Sequence, residues 1–102
     1  MKSYEEKLSL AAFVLMSSYH ERALLALHDN EVMFPTSIAQ HCGVRSNHIS
    51  KTLKELKERD LVVCINEDAH KGRLYKLTEL GKEIYDILPS LKGKTVGELN
   101  DL

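Results

Sequence analysis

Long apolar runs are missing from this sequence. None reaches the ~18 residues that a membrane-spanning helix needs; the longest is Leu10-Ala11-Ala12-Phe13-Val14-Leu15-Met16. It follows the acidic pair Glu5 and Glu6, so it does not resemble a secretory signal. A cytoplasmic chain with no membrane partner is expected. Cysteine is scarce as well. Cys42 and Cys64 belong to no CxxC or CxC pair, and a disulfide is not expected in a reducing compartment. Buried thiols are the simpler expectation. His41 adjoins Cys42, but neighbours on a helix point in different directions and make no metal site. The five histidines, at 20, 28, 41, 48 and 70, are scattered. There is no nucleophile elbow, P-loop or HExxH, no internal repeat and no low-complexity tract. These absences predict a protein that is not an enzyme and uses no metal or cofactor.

Net charge is also slight, at −1. A generic nucleic-acid-binding domain would be basic, but here the distribution matters more. Residues 41–76 carry eight Lys/Arg and five Asp/Glu, while the remainder carries six against ten. The positive surplus is therefore concentrated in one stretch. At 102 residues, with 43% hydrophobic and 28% charged side chains, the chain is expected to form one globular domain.

The basic stretch contains an amphipathic segment. Ile49, Leu53 and Leu56 recur at helical spacing and predict a buried stripe. Ser46, Asn47, Ser50, Lys51 and Lys54 point away from it, with His48 between the faces. An ordinary solvated face is mostly Glu and Lys. Here short hydrogen-bonding side chains come first and cations follow. That order suits a helix whose N-terminal half reads base edges while its lysines meet phosphate.

Residues 1–7 are polar and expected to be mobile. From Leu8 to Met16 the even positions are all apolar, which fits a strand, while Phe13 and Leu15 allow a buried helix. An extended or short-strand piece over Phe13–Met16 is favoured. Ser18 and Glu21 fit a capping box opening a helix that runs to about His28. Phe34-Pro35-Thr36-Ser37 starts a short second helix, with Pro in its first turn and Ser37 and Gln40 as another capping box. Gly43 ends it in a left-handed conformation. The focal helix, 46–59, follows at once and stops at Asp60. Leu61–Ile65 and Leu74–Thr78 predict two strands around the polar turn 66–73. Thr78 caps a helix from Glu79 to Leu88, which Pro89 is expected to stop. In the tail, Val96, Leu99 and Leu102 have helical spacing. The expected core contains Leu24, Leu27, Ile38, Ile49, Leu53, Leu56, Leu61, Leu77 and Ile84.

Helix, helix, turn, helix, hairpin, helix resembles the winged helix-turn-helix domain, closest to small prokaryotic regulators of the MarR and ArsR superfamily. The residues carrying the resemblance are Ile38-Ala39-Gln40-His41-Cys42-Gly43-Val44, then Asn47 to Val62, then Gly72-Arg73-Leu74-Tyr75-Lys76-Leu77-Thr78-Glu79-Leu80-Gly81. It spans roughly Ser18 to Leu88. Two positions depart from the family pattern: Asp60 stands where Gly is usual, and Phe34 where a capping Thr is usual. The resemblance implies a mainly α fold with a small β-hairpin wing. It divides the chain into an arm over 1–17, a DNA-binding domain over 18–88 and a tail over 89–102. It also implies transcriptional regulation through sequence-specific binding of double-stranded DNA.

The resemblance makes 46–59 the recognition helix, bringing Ser46, Asn47, His48, Ser50, Lys51 and Lys54 to the DNA. Asn47 can pair bidentately with adenine and Ser50 can bond to either base type. Lys51 and Lys54 suit phosphate, where a flexible point charge needs no fixed direction. The hairpin tip supplies His70, Lys71 and Arg73, with Arg73 best suited to a narrow minor groove. Glu67 and Asp68 on the same loop oppose that role by repelling phosphate. Thr36, Ser37 and Gln40 begin the supporting helix, whose free amides favour an anion, although capping explains Ser37 and Gln40 equally well. The alternative is a winged helix used for protein–protein docking, which near-neutral charge favours.

Relatives of this kind usually bind palindromes as two-fold dimers. Leu8, Leu10, Phe13 and Leu15 precede the winged core, and Tyr85, Leu88, Leu91, Val96, Leu99 and Leu102 follow it. Such a surplus would form an exposed patch on a monomer. A homodimer is expected, with Leu8–Leu15 and Glu79–Leu91 at a two-fold interface; the competing arrangement folds the N-terminal segment onto its own last helix.

Overall fold

The structure is a computed structural model that describes residues 2–92. It is mainly helical, with one small antiparallel sheet. The order is α1 (Tyr4–Leu15), α2 (Ser18–Asn30), β1 (Val32–Met33), α3 (Pro35–Cys42), α4 (Ser46–Glu58), β2 (Val62–Cys64), β3 (Tyr75–Leu77) and α5 (Glu79–Leu91). The turn expected around Val96, Leu99 and Leu102 lies outside the described residues.

The N-terminal segment is a helix, which corrects the extended piece favoured over Phe13–Met16; the buried helix that Phe13 and Leu15 allowed is the one found. Ser3 caps α1 in a full capping box: its Oγ accepts from the Glu6 amide at 3.1 Å, and the Ser3 amide donates to Glu6 Oε1 at 3.4 Å. Ala11 and Val14 are fully buried, while Leu8, Leu10, Phe13 and Leu15 are partly buried. A helix with apolar residues on several sides has no single stripe, so its alternating positions imitated a strand. Met16, the last of those positions, is 86% exposed.

α1 lies against α5 and α2 of its own chain, and Lys7 Nζ reaches Glu83 at 2.6 Å. Much of the apolar surplus is therefore used within the chain. Ala11, Val14, Leu88 and Leu91 all belong to the core. The competing arrangement is thus present: the N-terminal segment folds onto its own last helix.

α2 starts one residue earlier than expected. Ser17 is its N-cap and makes no side-chain cap bond, so Ser18 and Glu21 form no capping box. Glu21 instead pairs with Lys92 at 2.5 Å. At the other end, Glu31 takes φ 53°, an unusual conformation for a residue with a Cβ. β1 follows and was not expected. It is two residues long and pairs with β3, giving the sheet order β1-β3-β2. Val32 lies opposite Lys76, and Met33 opposite Tyr75.

Pro35 opens α3 as its sequence suggests, but the cap is Phe34 and has no side-chain bond, so Ser37 and Gln40 form no capping box either. Gly43, at φ 70°, closes the helix: its amide donates to the Gln40 carbonyl and that of Val44 to Ala39. On α4, Ile49, Leu53 and Leu56 are buried, joined by Thr52, whose hydroxyl donates to the His48 carbonyl at 2.8 Å. Asp60 takes φ 61°, so the usual place of a glycine is occupied here by a residue that tolerates the left-handed region. All nine expected core residues are buried.

Thr78 joins the hairpin to α5. Its hydroxyl donates to the Asp60 carbonyl at 2.6 Å and accepts from the Gly81 amide at 2.9 Å. Gly81 is needed for a close approach: a Cβ there would lie 2.1 Å from the Leu61 carbonyl oxygen. α5 does not stop at Pro89, correcting that expectation. The missing proline N–H removes one bond in the last turn. Burial of Leu88 and Leu91 on either side holds the helix together, and the Lys92 amide still reaches the Leu88 carbonyl at 3.1 Å.

Candidate nucleic-acid interface

α4 turns its apolar stripe inward, so the opposite side faces solvent. Ser46, Asn47, His48, Ser50, Lys51 and Lys54 are all exposed. Thr36 and Gln40 on α3 are exposed too, and Ser37 is half-buried. The hairpin places His70, Lys71 and Arg73 in solvent. None of the twelve candidate residues is consumed by the core.

Two of the α4 side chains already have local partners. The His48 ring stacks on Tyr19 of α2, with centroids 5.2 Å apart and planes 9° from parallel. Ser50 donates back to the Ser46 carbonyl at 3.2 Å, a bond that swinging the hydroxyl outward would release. Asn47, Lys51 and Lys54 make no side-chain hydrogen bond or ion pair among the described residues, leaving one amide and two cations unengaged in the middle of the face.

The face is held from behind. His20 of α2, 6% exposed, has Nε2 3.2 Å from Glu55 Oε1 of α4. Its ring also lies 4.5 Å from that of Phe13, and the Arg59 guanidinium sits 3.7 Å over the same phenyl ring. Residues of α1 and α2 thus meet behind α4. Such support holds in place the helix that carries the exposed side chains.

The hairpin loop has its own frame. Asn66 Oδ1 accepts from the Leu74 amide at 2.7 Å, and its Nδ2 donates to the Gly72 carbonyl at 3.0 Å. Arg73 folds back: Nε donates to the Ala69 carbonyl at 3.0 Å and an Nη to that of Glu67 at 3.3 Å. Its guanidinium therefore braces the loop. Lys57 of α4 pairs with Glu67, tying the hairpin to the helix. The shared hydrogen bond holds Glu67 below the usual carboxylate range and Lys57 above the usual amine range. Glu67 is thus matched by a lysine, leaving Asp68 as the uncompensated acid on the loop.

Tyr19, Asn66 and the Lys57–Glu67 pair were not singled out from sequence. Each acts through a partner distant in the chain, and no local spacing announces it. Burial of Cys42 raises its thiol pKa, as expected of an inert cysteine. Among the described residues no group of His, Cys, Asp or Glu could hold a metal ion. None of the described helices is long and apolar enough to cross a membrane.

No protein-family model matches the chain, and no curated protein does. Among solved structures it is similar to the crystal structure of RV1404 from Mycobacterium tuberculosis, with a TM-score of 0.57 and 14% identity, over 99% of this chain and 88% of that one. At that identity the likeness is one of fold alone.

Proposed function

We propose that the chain is a winged helix-turn-helix transcriptional regulator that binds specific sites on double-stranded DNA. α4 would lie in the major groove and the 66–73 hairpin along the backbone or in the minor groove. The observation that carries this reading is the solvent face of α4. It offers Asn47 unengaged between short hydroxyl side chains, with Lys51 and Lys54 unpaired beside it. Base-edge recognition needs the first kind of group and phosphate attraction the second.

Within this reading, roles divide by chemistry. Asn47 reads a base and Lys51 and Lys54 meet phosphate. Thr36, Ser37 and Gln40 approach the backbone at the start of α3. His70 and Lys71 supply the hairpin's contact with DNA, while Arg73 must give up two carbonyl bonds before it can reach a groove. Two copies would bind a palindrome through the outer side of the α1–α5 layer, where Tyr4 is 67% exposed and Leu8 and Leu15 are only partly buried.

Selection from a random duplex pool, followed by titration of the enriched site at two salt concentrations, tests the reading. Binding must weaken steeply with salt, because neutralised phosphates release counterions. No enrichment and no salt-sensitive binding would instead favour a module that docks onto protein.

A further inference from the structure

A cavity of about 440 Å³ opens between the end of α2, the sheet and α5, with no residue of α3 or α4 in its wall. Its volume is in the range of small-molecule sites. Val32, beside the edges of the buried Leu27 and Leu77, gives it a small apolar floor, and exposed side chains of both signs surround it: Glu31 and Asp86 against Lys76 and Lys82. Lys82 is turned to Glu79 at 3.4 Å. Glu31, Lys76 and Asp86 form no ion pair among the described residues. One wall is stiffened by His28, whose ring stacks on Tyr85 at 3.9 Å.

Glu31 is the less ordinary member. It holds φ 53° and ψ −66° where a glycine would sit without strain. Strained backbone that persists beside a cavity is a feature of ligand clamps.

We propose that this cavity binds a free α-amino acid with an apolar side chain. Lys76 receives the carboxylate, Glu31 and Asp86 receive the ammonium, and the side chain lies on Val32 against the edges of Leu27 and Leu77. The charge pattern selects against the simpler ligands. An organic anion would face two carboxylates, and a diamine would face Lys76. A wholly apolar molecule would desolvate the rim charges without replacing their water. Because Lys76 lies on β3, a bound ligand would clamp the hairpin's return strand to α2 and α5. The same signal could then reach the 66–73 loop.

The test reads binding directly and involves no DNA. Backbone amide NMR spectra of the full chain are recorded against L-leucine and L-phenylalanine, then against 3-methylbutylamine and 4-methylpentanoate. These last two are leucine without its carboxylate and without its ammonium. At least one amino acid is expected to shift the amides of Glu31, Val32, Lys76 and Asp86 saturably. Each leucine fragment should bind about two- to fivefold below leucine, the worth of one exposed ion pair. Lys76→Met should weaken leucine by a similar factor and should not weaken the amine. Glu31→Gly should raise the melting temperature while weakening leucine. The proposal is overturned if neither amino acid gives saturable shifts by about 10 mM, far above a physiological affinity. It is also overturned if the fragments match leucine, or if the shifts fall elsewhere.

Discussion

The imidazole of His20 is buried behind α4 with Nε2 3.2 Å from the Glu55 carboxylate and Nδ1 without a partner. One half of the ring is satisfied across helices and the other is not. Removing Glu55 would leave both ring nitrogens unpaired, and a buried polar atom without a partner costs about 1–3 kcal/mol. Glu55→Ala should therefore destabilise the fold by about that amount in a denaturant melt. The double variant His20→Phe/Glu55→Ala removes the need along with the partner. It should recover at least half of the loss; a double variant as unstable as the single one would count against the pairing.

If α4 binds DNA as proposed, its face should separate two kinds of contact. Lys51→Ala and Lys54→Ala should weaken binding on every duplex and each reduce the salt slope by about one. Asn47→Ala should leave the slope alone and relax discrimination at one base position, by about 1–3 kcal/mol. Equilibrium titrations on a selected site and a scrambled one measure both. Three variants that behave as wild type would remove α4 from the interface.

Two glycines should respond differently to the same substitution. A Cβ at Gly81 meets the Leu61 carbonyl at 2.1 Å, where backbone faces backbone and neither can move aside. Gly81→Ala should cost about 1–3 kcal/mol or more, as overpacking does. Gly43 has nothing within 4 Å of its added Cβ, and only its φ of 70° resists. Gly43→Ala should cost about 1–2 kcal/mol, from left-handed strain alone. Thermal melts that rank Gly43→Ala as the worse of the two would contradict the close approach.

Periodicity with one apolar side was readable from sequence. Ile49, Leu53 and Leu56 marked the buried stripe of α4, and the same logic found the buried sides of α2, α3 and α5. It failed on α1, where Leu10, Ala11, Phe13 and Val14 leave no clean stripe. β1 was invisible because two residues carry no pattern and their pairing comes from β3, far along the chain. Pro89 misled because a proline near a helix end removes one bond, a loss that burial of Leu91 offsets. At the candidate site, exposure of all the α4 residues followed from the stripe. The bracing of Arg73 by the Ala69 and Glu67 carbonyls did not, since backbone acceptors carry no residue signature.

The Lys57–Glu67 pair gives the hairpin a pH dependence. Glu67 is held below the usual carboxylate range, so its contribution is complete above that range and is lost as pH falls through the lowered value. Lys57 is held above the usual amine range, so its contribution disappears only in strong base. Between the two the tether should be constant. Hydrogen exchange in the 66–73 loop should speed up on acidification, beyond the intrinsic change for a free peptide. Glu67→Gln should show the faster loop already at neutral pH, while global stability changes little because both groups are exposed. A loop equally protected in Glu67→Gln would mean that the Asn66 and Arg73 bonds hold it unaided.

Oligomeric state follows from how much of α1 the chain covers for itself. Its buried residues, Ala11 and Val14, are used against the chain's own core, while Leu8, Ala12 and Leu15 keep partial exposure and Met16 is almost fully exposed. Packing within one chain carries no association entropy, whereas a dimer must overcome it. The intramolecular contact should therefore persist in either state, and dimerisation should use only the outer side of the α1–α5 layer. A two-fold axis there would bring each Leu8–Leu15 surface against its copy. Leu8→Glu and Leu15→Glu, at partly exposed positions that also touch the core, should dissociate such a dimer while destabilising the protomer less than a change at a buried position. Leu88→Glu, at a buried position, should unfold it instead. Sedimentation equilibrium at micromolar concentration, paired with circular dichroism, distinguishes these outcomes. A wild-type mass near 11.6 kDa would end the dimer proposal. A dimer untouched by Leu8→Glu and Leu15→Glu would move the interface to another face.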